Sequence, residues 1–306
     1  MVNIFTLTLT LVNYCVIVAD THDFYQLTPA KIGCEVHGID IGLPVSEKVI
    51  AQIKKDVTEH RILVFRNQHN IPPERHVEIG RWFGELESSM FYKHPKSPSP
   101  EIFRISNVKS EGSINRGRFG WHIDGSHFMK PVSHTLYQIV HVPNEGDTVY
   151  NPLNEIVQGL STERLDRWER LWVRSNPPPQ VIHPLIYSHP DTGKKVICIH
   201  LGTTASFIWD RGTNNERETG FDETKELLAE IKHEFTKNQT LQYSHKWEVG
   251  DYIITDNLSV AHESAPSSQY SIEQVGLRVL HRVTVAGTNM PTKNYDLPIL
   301  KPKDEL

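Results

Sequence analysis

The sequence feature that most constrains the fold is the triplet His122-Ile123-Asp124, together with a single histidine much further along the chain, His262. In an extended strand residues i and i+2 point to the same face, so His122 and Asp124 can reach one metal ion while Ile123 turns away into the packing. Two imidazoles and one carboxylate form a facial triad, which holds Fe(II) on one side and leaves the opposite positions open. A third ligand so distant in sequence requires a fold that brings remote strands together, as a closed or double-layered β-structure does.

The triplet alone is a weak signal, because a chain with 17 histidines easily contains a chance match to His-x-Asp. Its surroundings strengthen it. Trp121 precedes the triplet, a Gly146-Asp147-Thr148 turn follows it, and Asp256-Asn257 leads into His262 after a strand-like run at 252–255. We interpret most of the remaining histidines as surface or hydrogen-bonded residues.

The chain resembles the TauD/TfdA family, the taurine and 2,4-dichlorophenoxyacetate type of Fe(II)/2-oxoglutarate-dependent dioxygenase, from about residue 27 to about residue 293. Each matching motif is weak by itself, but together, in the family's order, they are specific. The resemblance implies a mainly β fold with flanking helices, whose core is a double-stranded β-helix of the jelly-roll or cupin-like type. The matching segments are 33–40, 62–68, 81–86, 121–124, 146–148, 183–190 and 262–282.

The resemblance also implies a role for individual residues. His122, Asp124 and His262 would bind Fe(II), and 2-oxoglutarate and then O₂ would use the open positions, with ascorbate as an additional reductant. We expect no catalytic side chain beyond the metal centre, because the oxidised metal performs the chemistry. Thr148 and Arg278 match the family's contacts to 2-oxoglutarate, and the planar fork of an arginine suits a carboxylate. The carboxylate of Asp124 favours hydroxylation over halogenation, since related halogenases lack it.

Arg282 is the residue from which we predict the class of substrate. It follows Arg278 by four residues on a strand, so it points to the same face roughly 13 Å further along, at about 3.3 Å per residue, and cannot bind the same carboxylate. In taurine-type enzymes the matching arginine binds the anionic group of the substrate. The resemblance therefore implies a small anionic substrate, such as a sulfonate, a sulfate ester or a carboxylate. The alternative is a surface arginine paired with a nearby acid.

The sequence departs from the taurine-type pattern in the substrate region. Ser89 stands where the family has a histidine. Arg118, His127 and His94 are the candidates to replace it as substrate-binding residues. We therefore do not expect taurine itself to be the substrate.

Length and charge agree with a small-molecule enzyme. A chain of 306 residues can form one large β-domain, which we place at residues 25–295. The net charge is −5 and the pI is near 6.4, and the sequence contains no basic tract, so we expect no nucleic-acid partner. The sequence leaves the oligomeric state open, a homo-oligomer included.

The two termini carry targeting signals. An apolar run at 4–19 is short for a membrane span and ends at Ala19, so we interpret residues 1–19 as a signal peptide and expect no stable membrane insertion. The tail, 296–306, ends in Lys303-Asp304-Glu305-Leu306, the retrieval signal of the endoplasmic reticulum. The predicted location is the lumen of that compartment, with the KDEL receptor as a partner. The alternative is a cytoplasmic protein with a disordered or strand-forming N-terminal extension.

Two modifications stay open at this point. Cys34 and Cys198 remain after cleavage and form either one disulfide or two buried thiols. Asn238 begins a glycosylation sequon on a polar stretch.

Periodicity places the remaining elements around the predicted β-core. The predicted helices are amphipathic and lie outside the core, and the predicted strands are short. Helices are predicted after Ser46, from Pro73, across Leu160 to Trp172, and from Asp222 as N-cap; strands are predicted at 136–142, 196–200, 252–255 and 278–285.

Two other functions remain compatible with this pattern. A betaine or trimethyllysine hydroxylase would share the core, but it needs an aromatic cage for its cation and usually an N-terminal zinc module, and the sequence contains no Cys/His module of that kind. A non-catalytic lumenal binding protein could retain the pocket. Such a protein would normally have lost a ligand residue, and this chain has lost none.

Overall fold

The structure is a computed structural model of the chain, and it describes residues 24–88, 93–114, 117, 120–176 and 180–293. The predicted signal peptide at 1–19 and the C-terminal tail at 296–306 lie outside the described residues, as do Ser89 and Arg118.

The described residues form a mainly β structure with helices on its outside. The strands are β1 (Gln26–Pro29), β2 (Cys34–His37), β3 (Ile62–Phe65), β4 (Phe103–Ser106), β5 (His134–His141), β6 (Thr148–Pro152), β7 (Leu171–Ser175), β8 (Ile182–Pro184), β9 (Ile186–Ser188), β10 (Lys195–Ile197), β11 (Thr204–Trp209), β12 (Arg217–Glu218), β13 (Tyr243–His245), β14 (Tyr252–Asp256), β15 (Val260–Ser264) and β16 (Val279–Val285). The helices are α1 (Glu47–His60), α2 (Pro73–Arg81), α3 (Leu153–Gln158), α4 (Thr162–Glu169), α5 (Phe221–Thr236) and α6 (Ile272–Val275), with a 3₁₀ turn at Pro266–Gln269.

Two sheets enclose the space in which the predicted ligands lie. The larger has the strand order β1-β2-β3-β14-β5-β16-β4, and the smaller has the order β13-β6-β15. A buried cluster joins them, with Ile253 and Leu280 contributed by the larger sheet and Tyr150 and Val260 by the smaller. These facing sheets are the double-stranded β-helix, or jelly roll, that the sequence predicts.

A second apolar cluster contains the middle residue of the His122-Ile123-Asp124 triplet and so fixes the position of the triplet. The four-stranded sheet β12-β11-β7-β8 and helix α5 pack around it, and Ile123 lies in it with 0% of its surface exposed. Ile123 therefore turns away from its two neighbours, as the sequence predicts. Because Ile123 is held in this core, His122 and Asp124 are directed to the opposite face.

The predicted helices after Ser46, from Pro73 and near Asp222 are confirmed. The Ser46 hydroxyl accepts a hydrogen bond from Val49 N at 3.4 Å and caps α1. Asp222 is not the N-cap of α5, which is Gly220; it lies in the first turn, where a carboxylate also favours the helix dipole.

The prediction of one helix from Leu160 to Trp172 is wrong. Helix α4 ends at Glu169, and Trp172 lies on strand β7, where it pairs with Ile208 on one side and Pro184 on the other. The sequence around Trp172 has helical periodicity, but pairing with a strand on each side determines its conformation.

Cys34 and Cys198 are both buried, are not joined in a disulfide, and belong to different apolar clusters. The open question from the sequence is thus answered as two buried thiols rather than a disulfide. Among the described helices, none combines the length and the apolar character that crossing a membrane requires.

Candidate active site

The two predicted histidine ligands are direct neighbours in the backbone. His122 N donates to His262 O at 3.2 Å, and His262 N donates to His122 O at 2.9 Å. On its other side the triplet pairs with the segment after β10, where Ile123 N donates to Ile199 O at 3.1 Å. Strand β15, which carries His262, is therefore joined to the triplet as the spacing of the ligands requires.

The three side chains converge on one point. One ligand atom each from His122, Asp124 and His262 lies within 4.8 Å of the other two, and all three residues are buried. His122 Nδ1 is 2.8 Å from Gly120 O, which assigns its proton to that nitrogen and turns the lone pair of Nε2 to the site. His262 Nε2 lies 3.7 Å from Asp124 Oδ2. Two imidazole nitrogens and a carboxylate at these distances fit a divalent iron ion.

Asn257 and Thr135 hold the carboxylate ligand in place. Asn257 Oδ1 accepts from Asp124 N at 2.8 Å, and its Nδ2 donates to Asp124 O at 3.0 Å and to Val132 O at 2.6 Å. The Thr135 hydroxyl donates to Asp124 Oδ2 at 3.1 Å. Such contacts fix the orientation of a ligand before the metal arrives. Sequence reasoning noted Asn257 only as a motif and missed Thr135.

The site electrostatics favour the protonation states that a metal needs. Burial and then the neighbouring His262 lower the pKa of His122 to about 3, and burial lowers the pKa of His262 to about 4. Burial by itself would raise the pKa of Asp124, but Arg282 and then the two histidines outweigh it and hold that pKa at about 2. At neutral pH the three ligands are two neutral imidazoles and one carboxylate.

Arg278 lies fully inside the barrel with an unused hydrogen-bonding group. It is 1% exposed, and its Nε donates to Gly146 O at 3.0 Å. Within the described ranges its Nη2 is buried and has no hydrogen-bond partner. Burial lowers the pKa of Arg278 to about 10, so the side chain still carries its charge at neutral pH. A buried cation with a free N–H fits a carboxylate ligand, which would satisfy both.

The Gly146-Asp147-Thr148 turn shapes this end of the pocket. Gly146 has φ +129, and a Cβ there would lie 3.2 Å from Arg278 Cδ, so glycine allows the arginine to approach the backbone. Thr148 is buried, and its hydroxyl accepts a hydrogen bond from Trp247 Nε1 at 3.2 Å.

Arg282 is buried on β16, which begins directly after Arg278, and it lies next to Asp124. Its Nη1 donates to Asp124 Oδ1 at 3.0 Å and to Asp124 Oδ2 at 3.1 Å, and its guanidinium lies over the ring of Phe103, 5.2 Å from the centroid. It is 7% exposed, so the alternative of a surface arginine is wrong. The acid with which it pairs is instead one of the predicted metal ligands.

Comparison with known proteins agrees with this geometry. The family model described as "Taurine catabolism dioxygenase TauD, TfdA family" matches residues 23–284. The chain belongs to this family. It is 26% identical over 282 residues to an alpha-ketoglutarate-dependent sulfonate dioxygenase of Saccharomyces cerevisiae, a match that covers 83% of this chain and 65% of that protein. It is 29% identical over 296 residues to an alpha-ketoglutarate-dependent 2,4-dichlorophenoxyacetate dioxygenase of Burkholderia sp., with 85% and 93% covered.

The fold likeness extends over most of the chain. The crystal structure of a taurine dioxygenase from Burkholderia xenovorans superposes with a TM-score of 0.70 at 26% identity, covering 87% of this chain and 90% of that one.

The predicted replacements for the missing family histidine differ in their placement. His127 follows the triplet and is partly buried, with its Nδ1 enclosed and without a hydrogen-bond partner in the part of the chain that the structure describes. Burial lowers the pKa of His127, and Asp124 opposes that shift, which places the imidazole within electrostatic reach of the metal site. His94 is partly buried, and its Nε2 lies 3.0 Å from Lys109 O. Arg118 is not among the described residues.

The structure adds two aromatic side chains that sequence reasoning missed. The Tyr137 hydroxyl lies 3.3 Å from His262 Nε2, and the His200 ring stacks on the His122 ring with centroids 4.5 Å apart. Both residues lie in predicted strands, at 136–142 and 196–200. Alternation along a strand gives the inward face, but it does not tell which inward side chain reaches the metal.

Proposed function

We propose that the protein is an Fe(II)- and 2-oxoglutarate-dependent dioxygenase that hydroxylates a small anionic substrate and releases succinate and CO₂. One observation carries this proposal. The fold buries a triad of His122, Asp124 and His262 and, four residues before the arginine that pairs with Asp124, a second arginine, Arg278, whose Nη2 has no partner among the described residues. When bound, the iron supplies the oxidising power that breaks an unactivated C–H bond.

The co-substrate would lie between these two features. Arg278 binds the far carboxylate of 2-oxoglutarate through its guanidinium, and the hydroxyl of Thr148 gives a second contact at that end. Leu280 and Ile139, paired across β16 and β5, are both buried in the cluster between the sheets and supply an apolar wall. The residues of this cavity bind and orient the co-substrate and exclude water from it.

The charge of the cavity supports an anionic substrate. Arg278 and Arg282 are buried cations, while Asp124 is the carboxylate that a metal ion would neutralise. A cavity with this balance attracts anions and disfavours a betaine-type cation. The yeast and Burkholderia relatives named above act on sulfonates and on 2,4-dichlorophenoxyacetate, which are both anionic. We assign the recognition of the substrate anion to Arg282, with His127 and Arg118 as further contacts.

The test is the formation of succinate from 2-oxoglutarate with Fe(II) and ascorbate, in the presence of sulfonates, sulfate esters, carboxylates and betaines. We expect substrate-stimulated succinate with one of the anionic classes, and none with Asp124→Ala. Stimulation by betaines alone would overturn the substrate class. Absence of metal-dependent 2-oxoglutarate binding in the wild-type protein would overturn the proposed activity.

We further propose that the protein resides in the lumen of the endoplasmic reticulum and is retrieved by the KDEL receptor. The apolar run that ends at Ala19 and the sequence Lys303-Asp304-Glu305-Leu306 support this proposal. Deleting residues 303–306 should send the protein into the medium of expressing cells. A protein that keeps Met1 and stays in the cytosol would contradict it.

A further inference from the structure

Tyr137 lies at the metal end of the co-substrate cavity. It is 2% exposed, and on β5 it pairs directly with Arg282 on β16, so both side chains face the interior from adjacent strands. Its ring makes edge contacts with Trp247 and with the His262 ring, at centroid distances of 6.5 and 6.1 Å. Its hydroxyl oxygen lies 3.3 Å from His262 Nε2.

This contact is incompatible with a loaded metal site. His262 Nε2 is also the nitrogen that faces Asp124 Oδ2, at 3.7 Å, so it is the atom that would bind the metal. A bound metal takes the lone pair of Nε2, so that nitrogen can then neither accept from the Tyr137 hydroxyl nor donate to it. The hydroxyl then needs another acceptor, because a buried O–H without a partner costs free energy.

The polar neighbours of Tyr137 are themselves donors to Asp124: Arg282 and Thr135 present N–H and O–H groups at this end of the cavity. The Thr135 hydroxyl oxygen keeps a lone pair that can accept, but it is a neutral acceptor and a weaker one than a carboxylate. A set of donors around a metal site is complementary to an anion that arrives with its own lone pairs. A 2-oxo acid brings such an anion, since it chelates a metal through its 2-oxo oxygen and one carboxylate oxygen and leaves the other carboxylate oxygen free to accept.

We propose that Tyr137 is a co-substrate-binding residue whose hydroxyl donates to the metal-chelating carboxylate of 2-oxoglutarate. This inference rests on the proposed function. The two ends of the co-substrate are then held by different residues: Arg278 and Thr148 hold the far carboxylate, and Tyr137 holds the near one. In the metal-free site the hydroxyl lies against His262 Nε2 instead.

The test is anaerobic titration of the Fe(II)-loaded protein with 2-oxoglutarate, followed through the visible absorption of the chelate. Tyr137→Phe keeps the ring and removes only the hydroxyl. Tyr187→Phe is the matched control, because Tyr187 is also 2% exposed and also has a buried hydroxyl. Unlike that of Tyr137, this hydroxyl has no partner within the described ranges, and Tyr187 belongs to the apolar cluster around Ile123. We expect Tyr137→Phe to weaken 2-oxoglutarate binding roughly 10- to 100-fold and to shift the absorption band, with Fe(II) affinity unchanged within about twofold. Tyr187→Phe should match the wild type.

Two results would overturn the inference while the proposed function stands. One is an unchanged Kd and an unchanged band in Tyr137→Phe; the other is a loss of Fe(II) affinity without 2-oxoglutarate, which would assign Tyr137 to the support of His262. Tyr137→Leu, which also lacks the hydroxyl, gives the same comparison if the phenylalanine variant does not fold. If the wild type and Tyr187→Phe show no metal-dependent binding of 2-oxoglutarate, the proposed function itself fails.

Discussion

His122 and His262 exchange both of their backbone hydrogen bonds, although almost half of the chain separates them. The metal site is therefore placed at a junction between remote segments of the chain. An ion bound by both side chains would add a second connection at the same point. Binding of an ion to the folded state alone stabilises that state by mass action.

Asp124→Ala should abolish both the activity and the stabilisation by metal. The change removes a ligand, and turnover should fall more than about 100-fold, beyond what the loss of a supporting contact causes. It also leaves the guanidinium of Arg282 buried without its partner acid, which should destabilise the metal-free protein by roughly 3–5 kcal/mol. Thermal unfolding with and without Mn(II) measures the destabilisation and the loss of stabilisation by metal, and the formation of succinate measures turnover. The exposed Asp191→Ala is the control, and a Mn(II)-dependent rise in Tm that persists in Asp124→Ala would contradict the ligand assignment.

Arg278→Leu should weaken 2-oxoglutarate binding and leave the metal in place. The guanidinium is buried and its Nη2 has no partner within the described residues, so the co-substrate carboxylate would be its principal anionic contact. We expect the KM for 2-oxoglutarate to rise by the equivalent of about 2–4 kcal/mol, with Fe(II) affinity nearly constant. Arg278→Lys keeps the charge without the fork and should recover part of the loss. An unchanged KM in Arg278→Leu would move the contact to another residue.

The sequence was sufficient to predict the parts of the site that depend on local pattern. The period of two in His122-Ile123-Asp124 places both ligands on one face, and Ile123 lies in the core as that period requires. The alternation around Arg278 and Arg282 likewise places both arginines inside the barrel, as found.

The remainder of the site depends on contacts between strands, which no local pattern records. Asn257 bonds the backbone of Asp124, and Tyr137 reaches His262, across sequence separations of more than a hundred residues. The pairing of Arg282 with Asp124 arises in the same way. The wrong prediction of a helix at Trp172 has a related cause, because the strands on both sides of β7 determine the conformation of that segment.

Metal affinity should be nearly independent of pH between about pH 6 and about pH 8. The pKa values of His122 and His262 are lowered from 6.5 to about 3 and about 4, so protons do not compete with the metal in this range. Histidine ligands with the ordinary pKa of 6.5 would be largely protonated near pH 6, and the site would then lose metal affinity. Titration with Mn(II) at several pH values measures this, and a marked loss of affinity at pH 6 would contradict the prediction.

The lowered pKa values of His122 and His262 also make the metal-free protein less stable in acid. Below the ordinary pKa of 6.5 the unfolded chain takes up protons on these imidazoles, whereas the folded chain does not until about pH 4 or below. The free energy of unfolding should therefore fall as the pH falls from about 6.5 towards 4. Urea unfolding of the wild type and of His262→Gln measures the effect, and the variant should show a shallower dependence. Equal slopes would show that His262 does not take part.

Arg282→Gln should separate substrate recognition from co-substrate binding. The guanidinium is the largest influence that lowers the pKa of Asp124, after the opposing effect of burial, so its removal should raise that pKa above its present value of about 2. Asp124 should still be ionised at neutral pH, where the Fe(II)·2-oxoglutarate absorption should persist. Because a depressed carboxylate pKa protects the ligand as the pH falls, the variant should lose metal at a higher pH than the wild type.

Substrate-stimulated succinate from anionic candidates should meanwhile disappear in Arg282→Gln, because the cation proposed to select the substrate is gone. Arg282→Lys serves as the matched variant, since it retains a positive charge near Asp124 without the planar fork, and it should retain metal in acid better than Arg282→Gln. Equal loss of substrate stimulation and of the Fe(II)·2-oxoglutarate signature would mean that Arg282 supports the co-substrate instead. Full activity of Arg282→Gln on an anionic substrate would limit the role of Arg282 to its ion pair with Asp124. Substrate recognition would then belong to other residues, and His127 would be the next one to substitute.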